Sequence, residues 1–385
     1  WAVRVGCCAN LRSDRESPVE GELRKILQTA HVVGLRSRTK MTASILGEAP
    51  KLFAIGCFCI GTDQVDLAVA GSKGIPVFHA PHSNTRSVAE LVLGLTIMLY
   101  RGIFPKSQAA HRGAWLKTAK GSREIRGKTL GIVGYGHIGS QASVLAEALG
   151  MRVLFYDVEP KLPMGNARPV GSLKELLALS DVVSFHVPDT PRTRNMMRAR
   201  EIAWMREGAF LINTSRGSVV DIEALASALE DGRLGGAAVD VFPREPMAPG
   251  ESFESRLQGQ ETAILTPHIG GSTLEAQESI AAEVVRRLIS YSDEGNTVGA
   301  VNFPQLNMEP HKDCSRILHI HENRPGILRQ ITRIFGEKEI NILGEQLQTR
   351  DALGYVVLDT EHVDRDQILP ALEAIEGTIR TRILY

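Results

Sequence analysis

From Lys128 onward, apolar runs alternate with amphipathic stretches. "KTLGIVGYG" reads as a strand entering a glycine-rich turn. "HIGSQASVLAEALG" follows with helical periodicity and ends on Gly150, a natural helix terminator. "MRVLFYD" is a second strand. "SLKELLALS" opens a helix with a capping-box pattern, Ser172 and then Glu175 three residues later. "DVVSFHVP", "GAFLINTSRG", "GGAAVDVF" and "AILTPHIGG" read as further buried strands, with helices such as "DIEALASALEDG" between them. This alternation predicts a parallel sheet covered by helices on both faces.

The first hundred residues alternate more weakly, in "AHVVGLRSRT", "KLFAIGCFCIG", "VDLAVAGSKG" and "IPVFHAP", and predict a separate small α/β domain. Two long amphipathic stretches, "SNTRSVAELVLGLTIMLYRG" and "STLEAQESIAAEVVRRLISYSDEG", leave and rejoin that domain. The stretch after Gly295, "NTVGAVNFPQLNMEPHKD", is rich in turn formers and polar residues and reads as a linker. The rest runs strand, helix, strand, strand, helix, strand, the ferredoxin-like order. The expected domains are a split α/β domain (residues 1–83 and 271–300), a parallel α/β domain inserted in it (84–270), a linker (301–313) and a ferredoxin-like domain (314–385).

A chain of 385 residues accommodates two or three such domains. Lys plus Arg equal Asp plus Glu, so a basic excess that would favour nucleic acid or anionic membranes is lacking. No apolar run reaches the roughly 18 residues needed to span a bilayer. The five cysteines are too few for a disulfide framework. Cys57 and Cys59 form a C-x-C without a second ligand pair at metal spacing, so reduced, buried thiols, no metal and a reducing cytoplasm are expected.

"GYGHIG", residues 134–139, fits G-x-G-x-x-G between a strand and a helix, where a dinucleotide site needs it. Gly134 permits the tight turn, Gly136 lets the backbone approach a pyrophosphate, and Gly139 lets helix and strand pack closely. The amides of His137 and Ile138 then face the phosphates. Asp157 ends the next strand. A carboxylate there favours the ribose of NAD and repels the 2′-phosphate of NADP.

Hydride transfer from a hydroxy acid needs a proton acceptor and a cation for the carboxylate. His268 in "LTPHIGG" titrates near neutral pH. Glu245 in "VFPREP" could fix its tautomer. Arg216 after "LINTS" offers a planar fork for a carboxylate. His79, His137 and His186 read as ordinary loop or capping histidines.

The motifs "GYGHIG", "INTSRG", "AAVDVFPREP" and "LTPHIGGST" resemble those of the D-isomer-specific 2-hydroxyacid dehydrogenases. "GLRSRT", "AIGCFCIGTDQVDL", "APHSNTRSVAEL" and "HENRPG" narrow the resemblance to the short branch with a C-terminal ACT domain. It covers nearly the whole chain from Ala30. It implies Arg216, Glu245 and His268 as catalytic residues. It implies NAD contacts at His137, Ile138, Asp157, Thr214, Ser215, Arg216, Asp240, His268, Ile269, Gly270 and Gly271. Arg36 and Arg38 would hold a substrate phosphate, with Asn84 beside the substrate and 3-phospho-D-glycerate as that substrate. Trp115 would pack on a neighbouring subunit of a homotetramer joined through Rossmann and ACT domains. His321, Asn323 and, from a second subunit, Asn341 would bind L-serine as an effector. Pro325 would sit in the first turn of the helix that follows. Reduction of 2-oxoglutarate, hydroxypyruvate or glyoxylate is the alternative chemistry, and a non-catalytic NAD sensor the alternative class. Members of this branch begin with another strand and helix before the segment matching "AVRVGCC", so a missing strand and an exposed sheet edge are expected.

Overall fold

Apolar runs without polar interruption become central strands, because only a sheet covered on both faces removes every side chain from water. The structure is a computed structural model that describes residues 20–246, 250–309 and 313–384. The segment "AVRVGCC" and the expected missing strand lie outside the described residues. By contacts the chain divides into two compact units, Asn84–Gln277 and the combination of Trp1–Ser83 with Glu278–Tyr385.

In the latter unit, β1 (Val32–Leu35), β2 (Ala54–Cys57) and β3 (Val77–Phe78) form a parallel sheet in that order. Gly56 is required by close packing. A Cβ there would lie 2.7 Å from side-chain atoms of both Val284 and Leu288.

The unit Asn84–Gln277 holds β4 (Thr129–Val133), β5 (Arg152–Tyr156), β6 (Arg168–Pro169), β7 (Val182–Phe185), β8 (Ala209–Asn213), β9 (Leu234–Val239) and β10 (Ala263–Leu265). They form one parallel sheet in the order β10-β9-β8-β7-β4-β5-β6. The order reverses between β4 and β7, the switch point where open α/β sheets bind ligands beyond their strand C-termini. The helix Thr85–Arg101 buries Val88, Val92, Leu95 and Leu99 at helical spacing and stops at Gly102, whose φ of 56° suits glycine. Gly150 closes the helix His137–Ala148 with a φ of +76°, donating to the Glu147 carbonyl. The capping box at Ser172 forms in modified form. Ser172 accepts from the Glu175 amide, but the Glu175 carboxylate takes the Gly171 amide one residue earlier. The pattern did not signal the helix Ile103–His111 or the two-residue β6.

The C-terminal residues add β11 (Ser315–Glu322), β12 (Ile342–Arg350), β13 (Leu353–Thr360) and β14 (Thr378–Leu384), an antiparallel sheet ordered β12-β13-β11-β14. This is the ferredoxin-like order. On one face Ile317, Val356 and Leu358 pack with Ile331, Phe335 and Leu372 of the helices Ile327–Glu337 and Arg365–Glu373. On the other, Leu318, Ile320, Tyr355 and Val357 pack with Phe78, Tyr291 and Phe303. Both faces of β11 and β13 are therefore dry. Residues 300–308, within the stretch that reads as a linker, belong to this core. Phe303, Leu306 and Met308 are buried, and Thr297 Oγ1 donates to the Pro304 carbonyl and accepts from the Leu306 amide. Three apolar side chains interspersed among turn formers outweigh the polar composition, because burying each removes on the order of 2 kcal/mol of unfavourable hydration. Pro325 does not enter the helix. Gly326 is its N-cap with a φ of 91°, and the first helical residue is Ile327.

Candidate active site

Five of the seven parallel strands of this sheet deliver a functional group at or beyond their C-terminal ends. Gly134 follows β4, Asp157 β5, Thr214 β8, Asp240 β9 and His268 the loop after β10. The turn at Gly134 has a φ of +90°, and a Cβ there would lie 2.4 Å from the His186 carbonyl oxygen. A Cβ on Gly139 would lie 2.3 Å from the Gly134 carbonyl oxygen, so both glycines are sterically required. Gly136 has open space in front of it, at the N-terminus of the twelve-residue helix His137–Ala148. Amides facing open space at a helix start suit a pyrophosphate.

Asp157 Oδ2 accepts from the Tyr135 amide at 2.8 Å and Oδ1 from the Glu159 amide at 3.0 Å. A carboxylate has about four acceptor sites, so capacity remains for ribose hydroxyls. Thr214 Oγ1 is buried with no hydrogen-bond partner among the described residues. An orphaned hydroxyl at this strand end fits a polar ligand that the fold leaves room for. The donors and acceptors present thus suit NAD. His186, buried beneath Gly134, is pushed down to about 4 by burial and stays neutral, with Nε2 3.0 Å from Ser184 Oγ. His79 is likewise engaged, its Nδ1 2.6 Å from the Ile60 carbonyl oxygen.

The structure brings Arg216, Glu245 and His268 together. His268 Nδ1 lies 2.8 Å from Glu245 Oε2, and Glu245 Oε1 accepts from the Phe242 amide. The hydrogen bond to Glu245 raises the pKa of His268 above its ordinary value, against burial and the Arg216 charge. Burial pushes Glu245 upward, but His268, the Phe242 amide and Arg216 outweigh it and hold the carboxylate below its usual range. His268 has a φ of 54°, a left-handed conformation unusual for a non-glycine residue.

Asp240 holds that conformation. It is 1% exposed, and its carboxylate accepts from Thr266 Oγ1 and from the amides of Ile269 and Gly270, at 2.6, 2.9 and 2.8 Å. Its carbonyl accepts from the His268 amide. The pattern alone did not reveal this positioning role. Asn213 was also missed. Its Oδ1 accepts from the amide and hydroxyl of Ser215, and its Nδ2 donates to the Arg216 carbonyl, fixing the turn that carries Arg216. A Cβ on Gly217 would lie 2.0 Å from the Phe242 carbonyl carbon, so glycine there lets the Arg216 and Glu245 segments meet. The usable signal was the buried amide preceding T-S-R-G. Asn84 caps the helix Thr85–Arg101 without a side-chain cap bond, and its buried Oδ1 has no partner among the described residues. Gly271 leaves room for Asn84 Nδ2.

The remaining candidates lie elsewhere. Arg36 and Arg38 are exposed just after β1, in the other unit. Trp115 is 84% exposed. His321 is buried, with Nδ1 2.8 Å from the Glu322 carbonyl and Nε2 unpartnered among the described residues. Asn323 is exposed and donates to the Asp351 carbonyl. Within one chain Asn341 does not join them. The register pairs His321 with Gly354 and Ile342 with Thr360, which puts Asn341 at the opposite end of the sheet.

Residues 93–270 match the family model of the D-isomer specific 2-hydroxyacid dehydrogenase, NAD binding domain, and residues 317–380 match an AHAS small subunit-like ACT domain. The chain is 56% identical to D-3-phosphoglycerate dehydrogenase of Haemophilus influenzae over 94% of its own length and 89% of the relative's. It is 53% identical to that of Escherichia coli over 100% of this chain and 94% of the relative. The structure is similar to that of D-lactate dehydrogenase from Aquifex aeolicus complexed with NAD and lactic acid, at 31% identity and a TM-score of 0.63, covering 70% of this chain and 85% of that one. The chain belongs to the D-isomer-specific 2-hydroxyacid dehydrogenases, in their D-3-phosphoglycerate dehydrogenase branch.

Proposed function

We propose that this chain oxidises 3-phospho-D-glycerate to 3-phosphooxypyruvate with NAD and is regulated by L-serine. The observation that carries the reading is the 2.8 Å contact between His268 and Glu245 within the field of Arg216. The Nδ1–H of His268 donates to Glu245, which leaves Nε2 to take the C2 hydroxyl proton. Arg216 binds the carboxylate and polarises the C2 oxygen. The imidazolium that forms is stabilised by Glu245. Bound NAD would supply the hydride acceptor for C2. Gly134, Gly136, His137, Ile138, Gly139 and Asp157 would hold its phosphates and ribose. Thr214, Ser215, Asp240 and residues 268–271 would border its nicotinamide end. Asn84 borders the substrate.

Replacing Glu245 with glutamine removes the main upward influence on His268. Oxidation needs the neutral imidazole, which appears as pH rises through the histidine pKa. In Glu245→Gln that pKa falls. The acid limb of the kcat/KM profile should move to lower pH while its maximum drops, as steady-state NADH formation across pH will show. An acid limb that stays in place counts against the pairing.

Arg36 and Arg38 supply the cations that a phosphate dianion needs beyond Arg216. The double replacement Arg36→Ala, Arg38→Ala should lower kcat/KM for 3-phosphoglycerate by about 10–100-fold, since a charge-assisted hydrogen bond contributes about 1.5–3 kcal/mol. Unchanged kcat/KM would overturn the phosphate assignment. Structural neighbours named as a glyoxylate reductase and a D-lactate dehydrogenase favour a second reading, a side activity reducing other 2-oxo acids.

For the effector, His321 and Asn323 face a ligand at the start of the helix Ile327–Glu337, and Asn341 comes from a second subunit across the edge strand β12. The Nε2 of His321, buried and without a hydrogen-bond partner among the described residues, supports this reading, as does the remoteness of Asn341 within one chain. Calorimetry with L-serine should show binding to the parent and none to Asn341→Ala. Equal binding to both would place the site within one chain. The exposed Trp115 and the free edge of β12 support a homotetramer, and we place the enzyme in the cytoplasm. The domain division is a split substrate-binding domain (1–83 and 271–300), an NAD-binding domain (84–270) and an ACT domain (314–385).

A further inference from the structure

The C-x-C at residues 57–59 takes no part in the chemistry above. Cys57 ends β2 and is fully buried, whereas Cys59 lies two residues on in a bend and is half-buried. The two thiols hydrogen-bond each other. Cys59 Sγ also accepts from Gln64 Nε2 at 3.1 Å and, as a thiol, donates to the Gly61 carbonyl at 3.2 Å. Leu35 pairs with Cys57 in the sheet register, so Arg36 emerges beside the turn that carries Cys59. Its positive charge acts on that sulfur, opposed by Asp63.

We propose that Cys59 and Cys57 form a peroxide-responsive dithiol, with Cys59 the attacking and Cys57 the resolving sulfur. Two residues of extended chain span about 6.6 Å, which lies within disulfide reach, and the bend at residues 58–60 shortens it. The hydrogen bonds from Cys57 and Gln64 and the charge of Arg36 lower Cys59 to about 7 against burial and Asp63, so thiolate is present at neutral pH. Cys57 is held protonated because it is the donor to that thiolate, and burial adds to the effect.

The steps balance. The Cys59 thiolate attacks one peroxide oxygen, an S–O bond forms, the O–O bond breaks, and the other oxygen leaves as alkoxide or hydroxide. Sulfur is oxidised and the peroxide reduced. Cys59 is then a neutral sulfenic acid, so Cys57 no longer donates to a thiolate. Cys57 sulfur attacks the Cys59 sulfur. The S–O bond breaks, hydroxide leaves, and the Cys57 proton completes a water molecule. A dithiol reductant reverses the product by exchange. An anion on Arg36 offsets the charge that stabilises the Cys59 thiolate, so it slows the first step.

The test uses the full chain carrying Cys7→Ser and Cys8→Ser, treated with hydrogen peroxide and read by intact mass and peptide mapping. The expected result is loss of two hydrogen atoms, mapped to a Cys57–Cys59 bridge and reversed by dithiothreitol. Cys57→Ser should stop at a sulfenic acid trapped by dimedone at residue 59. Unchanged mass in the parent overturns the proposal, as does oxidation mapped first to Cys314. The map is made on the parent cysteine pair, so it stands whether or not the variant folds. Adding 3-phosphoglycerate should slow oxidation, since an anion on Arg36 opposes one of the influences that favour the Cys59 thiolate. This last arm rests on the Arg36 assignment above. A bridge that forms at the same rate with substrate present counts against that assignment alone.

Discussion

Replacing His268 with alanine is expected to lower kcat/KM for phosphoglycerate oxidation by about 10²–10⁴-fold, the usual contribution of a positioned general base. Most of the loss should fall on kcat, because the carboxylate and phosphate are held by arginines rather than by the imidazole. The variant needs a partner control. At a φ of 54° alanine adds backbone strain that could disturb the loop. Asparagine tolerates that conformation, so His268→Asn separates loss of the base from loss of the loop. Both variants should fall together in NADH formation, with NAD binding by fluorescence titration largely kept in His268→Asn. A residual rate within about tenfold of the parent would remove His268 from the role of base.

Asp359→Ala is expected to be strongly destabilising, although it lies outside the active site. Arg316 is 2% exposed and Asp359 7%. They meet bidentately, Nε to Oδ1 at 2.6 Å and Nη2 to Oδ2 at 2.8 Å. Arg316 Nη1 also donates to the carbonyls of Glu294 and Glu309, so one guanidinium ties β11 to the end of the helix Leu274–Glu294 and to residue 309. Removing Asp359 leaves a buried cation without its counter-charge, a loss of about 3–5 kcal/mol. Replacing both members, Arg316→Met with Asp359→Leu, should recover most of it, because no charge then remains to desolvate. Amide exchange in β11 and β13 reads the effect directly and avoids assuming a two-state transition in a multidomain chain. Protection that changes by less than about 1 kcal/mol in Asp359→Ala would show the pair to be solvated.

The sheet of the NAD-binding unit was legible because its periodicity is simple. Uninterrupted apolar runs of strand length, rich in β-branched residues and set between glycine turns, read as central parallel strands, and the functional side chains follow from the strand ends. The supports of the site were not legible. Asp240 and Asn213 act through turns whose hydrogen bonds depend on tertiary geometry, and nothing in spacing tells a positioning amide from a ligand-binding one. The left-handed His268 is invisible for the same reason. Composition misled at residues 300–308, where turn formers surround three buried apolar side chains. The helix start slipped from Pro325 to Ile327 because Gly326 takes the left-handed cap. Asn341 could be named from the sequence, but its separation from Asn323 along the sheet appears only once strand register is known.

The two dry faces of β11 and β13 bear on how far the regulatory region is a module. A fragment beginning at residue 314 would keep the helices over one face and uncover Leu318, Ile320, Tyr355 and Val357 on the other. That is a contiguous apolar surface of the kind that drives self-association. Its natural cover comes from Phe78, Tyr291 and Phe303, on segments before and after the NAD-binding unit in sequence. In evolutionary terms such a domain is poorly portable. Grafted onto another enzyme, it would need either those covering segments or a new polar face on two of its four strands.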